Sequence, residues 1–371
     1  MTTAFRAGSA LLAITLCSQP AIAQDEAVTI EGDEIVVTPV SLHPAAGLMN
    51  EHTHDGGEVM IGLRYARTRS GGTNVRGTKE ISDAEILAAG YASRTSSMTM
   101  EMVMLDLMYA PDDRLTLMVM PHWMRHEMTM LGIDPANTGG GMHGGGMHGG
   151  MAGHHGHSPA FGETMTHAAE GFSDTLVSAS YRLAHSPALK AHATLGVWVP
   201  TGRVDLQNHD GTFVHYGMQP GSGSWDLEPS LTVSGQSGEM GWGLQASYRW
   251  RLEEENASGF AFGDRFALRG WASWRAARDV SLTGRLSFES EGPVTGHYNG
   301  PHNHSAPADR QANYGGERIY ADIGINYALP FGGPDRPQIG LEAGVPLYQD
   351  LNGIQAPDQW RMALSLTKAF R

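Results

Sequence analysis

The chain has 371 residues, 41% hydrophobic and 17% charged, with 48 Gly, 20 Met, 18 His and one Cys. Its 29 aromatic residues (8 Trp, 11 Tyr, 10 Phe) exclude a disordered protein. No apolar run reaches the roughly 18 residues of a membrane-crossing helix. The net charge of −14 argues against a nucleic-acid partner and favours cations.

In chain order, Arg6, the apolar run Ala10 to Leu16 and the small-x-small ending Ala21-Ile22-Ala23 predict a signal peptide over 1–23. Cys17 falls inside it, so the exported chain would carry no disulfide and would depend on a core or a closed sheet. Residues 24–57 read as a periplasmic N-terminal segment. Within it Asp33-Glu34-Ile35-Val36-Val37-Thr38 resembles the TonB box, the short strand by which TonB-dependent transporters recruit a periplasmic partner by strand addition. The chain is too short for the plug domain and large barrel of that family.

From residue 58 onward, apolar and polar residues alternate with the period of a strand facing two different solvents. Trp242, Leu244, Ala246, Tyr248, Trp250 and Leu252, interleaved with Gly243, Gln245, Ser247, Arg249 and Arg251, show the pattern best. Such segments are predicted at 58–67, 97–109, 114–128, 173–183, 188–200, 224–234, 242–252, 265–275, 280–289, 319–329, 338–348 and 359–370. Most run ten residues or more, the length a tilted strand needs to cross a bilayer. Short connections such as 110–113 and 276–279 alternate with long glycine-rich ones at 68–96, 129–172, 201–223 and 290–318. Short turns, long loops and an even strand number predict an all-β fold, a single antiparallel outer-membrane barrel of about twelve strands over 58–370. Closure removes the edges that hydrocarbon cannot satisfy, and Phe370, on the same face as Trp360, Met362, Leu364 and Leu366, marks the last strand. A secreted sandwich is the alternative.

The second and third segments hold an unusual ligand set. Asp106 must avoid lipid, so Met98, Met100, Met102, Met104 and Met108 are expected inside and Leu105, Leu107 and Tyr109 outside. By the same parity Met118, Met120, His122, Met124, His126 and Met128 face inward. A four-residue turn makes the two rows neighbours. Thioether sulfur suits Cu(I) and Ag(I), and imidazole also accepts Cu(II) and Zn(II). The plainer reading is methionine as flexible filler. The loop after the third segment adds Met142, His143, Met147, His148, His154, His155 and His157 on a glycine tether, a composition that reads as metal-binding. His52, His54, His297, His302 and His304 form smaller groups.

Enzyme motifs are absent: no G-x-S-x-G, H-E-x-x-H or P-loop occurs. Asp106, Asp174, Asp226, Glu228, Glu289, Asp322 and Glu342 interleave with Arg64, Arg249, Arg251, Arg269, Arg285 and Arg361, which suits a pore lining better than a catalytic dyad. The expected function is therefore an outer-membrane channel or transporter, not an enzyme, for a small cationic solute. Copper or silver would be ligand or solute, with no organic cofactor, lipid as surroundings and no nucleic acid. The alternatives are a non-conducting metal-binding surface barrel and a TonB-coupled uptake protein.

Met98 to Met120 (MTMEMVMLDLMYAPDDRLTLMVM), Gly171 to Leu183 (GFSDTLVSASYRL), Gly196 to Gly202 (GVWVPTG), Met218 to Leu231 (MQPGSGSWDLEPSL) and Gly344 to Gly353 (GVPLYQDLNG) resemble the outer-membrane barrels known as meta-pathway phenol-degradation proteins, often simply called transporters. The resemblance implies barrel and location and says little of substrate. A subset with this Met-rich hairpin looks associated with copper handling. Arg371 after Phe370 departs from the terminal Phe usual in such barrels.

Overall fold

The computed structural model describes residues 40–138, 158–186, 188–332 and 335–371. Among them, twelve antiparallel strands close on themselves. They are β1 (Val59–Gly71), β2 (Ser93–Tyr109), β3 (Leu115–Met120 and His122–Gly132), β4 (Thr164–Phe172 and Thr175–His185), β5 (Lys190–Val199) and β6 (Asp226–Ser237). The circuit continues through β7 (Met240–Arg251), β8 (Arg265–Ala277), β9 (Val280–Glu291), β10 (Gly316–Ala328), β11 (Gln338–Gln355) and β12 (Asp358–Phe370). Each strand pairs with its chain neighbours. The seam is β1 against β12, from Val59 opposite Phe370 to Arg69 opposite Trp360.

The alternation seen in the sequence is the wall of the barrel. Leu105, Leu107, Leu117, Val119, Leu195, Leu231, Leu244, Leu282, Ile323, Leu364 and Leu366 are exposed on its outside, while Asp106, Thr116, Ser180, Thr232, Gln245, Arg285 and Ser365 are buried inside. Tyr109, Tyr181, Trp242, Trp274 and Tyr327 ring the end with short turns, and Trp250, Phe266 and Tyr348 the opposite end. Two aromatic girdles around an apolar band are what a bilayer selects. The barrel is therefore that of a bacterial outer-membrane protein, with the short turns on the periplasmic side.

Two features depart from the expected layout. Strand β4 begins at Thr164, inside the stretch predicted as loop 129–172. Proline at 121 has no N–H to give the neighbouring strand, and opposite it β4 bulges at Ser173–Asp174. The register between β3 and β4 shifts there by one residue, from Met120 opposite Leu176 to Trp123 opposite Phe172. Below the bulge even-numbered residues of β4 face inward; above it Ala169 is buried while Phe172 is exposed. The alternation reverses phase, which hid the upper half from a periodicity argument.

The second departure concerns residues 40–57, read from the sequence as part of a periplasmic segment. They run inside the barrel. Val40 N–H donates to Arg278 O at the periplasmic rim (3.0 Å), and the segment then climbs the lumen on donors from the wall. Ser281 Oγ, Ser273 Oγ, Asn326 Nδ2 and Ser365 Oγ donate to the carbonyls of Ser41, Leu42, His43 and Ala45 at 2.6–3.0 Å. Buried Arg64 donates to the carbonyls of Ala46 and Leu48. The chain turns at Asn50, in the left-handed region at φ 53°, a conformation asparagine tolerates better than most residues. It descends past Thr116, which accepts from His54 N–H, to Gly57 N–H on Ala110 O, back at the same rim. Wall glycine makes room: a Cβ on Gly340 would lie 1.7 Å from Ala45 O.

The outer end is filled as well. Tyr216, Tyr298 and Phe213 stack with centroid spacings of 4.4 Å, joined edge-on by Phe260. Met218, from the loop after β5, is buried against Met128 and Met130 of the wall. Asp174, aimed inward by the bulge, accepts from Gly202 N, Ser222 N and Ser222 Oγ and so ties that loop down.

Candidate metal stripe in the lumen

From Ser97 to Tyr109, strands β2 and β3 keep one register, with Met98 opposite Met128, Met100 opposite His126, Met102 opposite Met124, Met104 opposite His122 and Met108 opposite Met118, and only beyond it, between Thr95 and Ser97, does the pairing slip by one residue. All face the lumen: Met104, Met108, Met118, Met120, His122, His126 and Met128 are buried, and Met98, Met100, Met102 and Met124 half-buried. Periodicity missed several neighbours. Met60 of β1 lies opposite Met108, and β4 places Met165 opposite Met130 and His167 opposite Met128. Met49 of the inserted segment packs against the cluster of Met60, Met104, Met108, Met118 and Met120. The stripe thus runs from the inserted segment to the outer loops, meeting Met49 below and Met218 above.

The two histidines differ. His122 Nδ1 bonds Asp174 O at 2.9 Å and its ring stacks on Trp198 at 5.3 Å. His126 is 3% exposed, and neither ring nitrogen has a hydrogen-bond partner among the described residues. Its immediate neighbours are Met124 and Met128 two residues away on its own strand, Met100 across on β2 and small Ala169 across on β4. Leaving buried polar atoms unpaired costs about 1–3 kcal/mol per group, and such groups in native proteins call for a partner. Among the described residues, no group of three or more His, Cys, Asp or Glu is placed to hold a metal ion. A site on this stripe with three or more side-chain ligands must use sulfur.

The remaining lumen is charged and paired. Arg64 meets Asp106; Arg285 meets Glu342 and, at 3.3 Å, Asp322. Arg361 bridges Asp322 and Glu289, Arg265 also meets Glu289, and Arg249 and Arg251 share Asp226. Glu228 accepts from Trp198 Nε1 at 2.7 Å, and Arg269 donates to Ser247 Oγ at 3.2 Å. No pair of acids stands free for general acid–base work among these groups. The predicted residues Met142, His143, Met147, His148, His154, His155 and His157, and Asp33 to Thr38, lie outside the described residues.

The model of the family described as the putative MetA-pathway of phenol degradation matches residues 138–345, more than half of the chain. Among solved structures, an outer membrane channel from Pseudomonas putida F1 superposes with a TM-score of 0.55 at 14% identity, covering 87% of this chain and 99% of that one. The KdgM porin (TM-score 0.38, 9% identity, 84% and 99% covered) and a Pseudomonas aeruginosa FadL homologue (0.37, 10%, 85% and 90%) are more distant. No curated protein matches the sequence. The likeness to the channel carries the fold.

Proposed function

The chain belongs to the family of the putative MetA-pathway of phenol degradation, and from that premise we propose that this outer-membrane channel passes a soft metal ion, Cu(I) or Ag(I), along the methionine stripe of its lumen. The observation carrying this reading is His126, buried with both nitrogens unpartnered in a row of thioethers. Thioethers donate to soft monovalent ions and hold them without the thiolates that an oxidising compartment would consume. A row of such donors gives an ion successive exchangeable positions, which conduction requires. The tract Met142 to His157, which lies between β3 and β4 in the sequence, would gather metal. Replacing Met100, Met102, Met104, Met118, Met120 and Met124 by leucine keeps volume nearly constant. Vesicles containing the variant should lose most Ag⁺ uptake while the barrel still folds. Wild-type uptake in the variant would return the stripe to the role of filler.

The segment 40–57 inside the lumen and the loops packed over its outer end favour a second reading, a barrel that binds metal at the surface without conducting. Ag⁺ bound to wild-type vesicles but never released inside them would select it. A TonB-type partner acting on Asp33 to Thr38, just ahead of Val40 in the sequence, would supply the work of clearing the lumen.

A further inference from the structure

On the descending leg of the inserted segment, His52 and His54 point at one another, their Nε2 atoms 3.1 Å apart. The other nitrogen of each ring is held by a carboxylate: His52 Nδ1 by Glu51 Oε1 at 3.2 Å and His54 Nδ1 by Glu58 Oε1 at 3.3 Å. Arg64 Nη2 lies 3.8 Å from Glu51 Oε1, a fixed cation beside that carboxylate. A carboxylate accepts from Nδ1–H, and a neutral imidazole oriented in that way presents its lone pair at Nε2. Two lone pairs facing at 3.1 Å repel unless a proton or a metal ion lies between them. Carboxylate-oriented imidazoles with free Nε2 atoms are the arrangement that metal-ligating histidines adopt.

A second, independent observation points the same way. Glu51 is 5% exposed and its Oε2 has no hydrogen-bond partner among the described residues. The backbone of the pair is fixed from the wall, His54 N–H donating to Thr116 Oγ1 (3.0 Å) and Arg182 donating to Thr53 Oγ1 and His54 O (3.0 and 2.9 Å). Around it lies a cavity of about 360 Å³ at the periplasmic end of the lumen, with His43, His185 and His192 also on its lining.

We propose that His52 and His54, oriented by Glu51 and Glu58, bind one borderline divalent cation, Cu²⁺ or Zn²⁺, at the periplasmic end of the lumen. Two imidazole nitrogens leave the remaining coordination positions open to water or solute, so the ion is exchangeable. The donor set is nitrogen and oxygen, distinct from the sulfur stripe above it, and the site stands whether or not soft ions travel along that stripe.

The test uses the full chain in detergent with His143, His148, His154, His155 and His157 replaced by serine, so that the glycine-tethered tract does not compete. Titration with Cu²⁺, followed by electron paramagnetic resonance, should find one ion per barrel with coupling to two imidazole nitrogens. His52→Asn with His54→Asn should abolish that ion, and Glu51→Gln should weaken it about 10–100-fold. Retention of the heat-modifiable gel mobility of a folded barrel checks each variant. Absence of a bound ion, or the same affinity and spectrum in the double variant, overturns the proposal and leaves a shared proton between the rings.

Discussion

Replacement of His126 by leucine tests the stripe with opposite signs in two measurements. In the metal-free barrel the imidazole buries two unpartnered nitrogens, each costing about 1–3 kcal/mol. Leucine is of similar size, removes both, and has Met100, Met124, Met128 and Ala169 as its neighbours across and along the sheet. Metal-free His126→Leu should therefore be more stable than wild type by at least about 2 kcal/mol, measured as the urea midpoint of refolding into vesicles with chelator present. Silver binding should move the other way: loss of the one imidazole among the thioethers should weaken Ag⁺ at least tenfold, which is about 1.4 kcal/mol. The two curves should cross as Ag⁺ is added, because an ion bound only to the folded barrel stabilises it by mass action. A variant less stable than wild type in chelator, or one binding Ag⁺ with wild-type affinity, refutes the reasoning.

Deletion of residues 41–50 should raise the conductance of the pure protein in planar bilayers several-fold, since that stretch occupies the periplasmic half of the lumen; unchanged conductance would place the barrier in the outer loops. Acid should loosen the same segment: burial, with His52 next, lowers His43 to about 3 from an ordinary 6.5, so the released segment takes up a proton that the seated one refuses. Seating is then strongest above about pH 6.5 and weakens from there down to about 3, with His52, Glu51, Lys190 and His192 the charged or titratable neighbours. Protease cleavage between residues 41 and 50, followed against pH, should increase over that window, and a flat profile would contradict it. If Asp33 to Thr38 recruit a periplasmic partner, Val36→Pro should abolish metal uptake in cells without lowering barrel abundance, because proline removes a strand N–H; unaltered uptake would make the match fortuitous.

The wall of the barrel was legible because each strand faces two solvents and must record both. Asp106 alone, which cannot face lipid, fixed the inward parity of β2, and a regular register carried that parity to β3. The upper half of β4 was illegible for a local reason: Pro121 forces a bulge, and a one-residue slip inverts every side chain beyond it. Met165 and His167 were lost with it. The inserted segment was illegible for a non-local one. Ala45, Leu48 and Asn50 have no period of their own, and their partners are wall residues as far away as Ser365, 320 positions along the chain. The glycines of Gly196 to Gly202 and Met218 to Leu231 were visible as motifs, but only the fold shows that Gly202 and Ser222 converge on Asp174.

Val40 and Gly57 are both bonded at the periplasmic rim, at Arg278 and Ala110. The segment between them enters and leaves by one opening, as a finger enters a glove. No strand has to be threaded, so the β1–β12 seam can close around an empty lumen and the finger can fold in afterwards from the compartment where the new chain arrives. The same geometry makes withdrawal reversible. The finger can leave without breaking a single strand pair, giving up its bonds to Ser281, Ser273, Asn326, Ser365 and Arg64 and the packing of Met49, while the wall in the membrane stays intact.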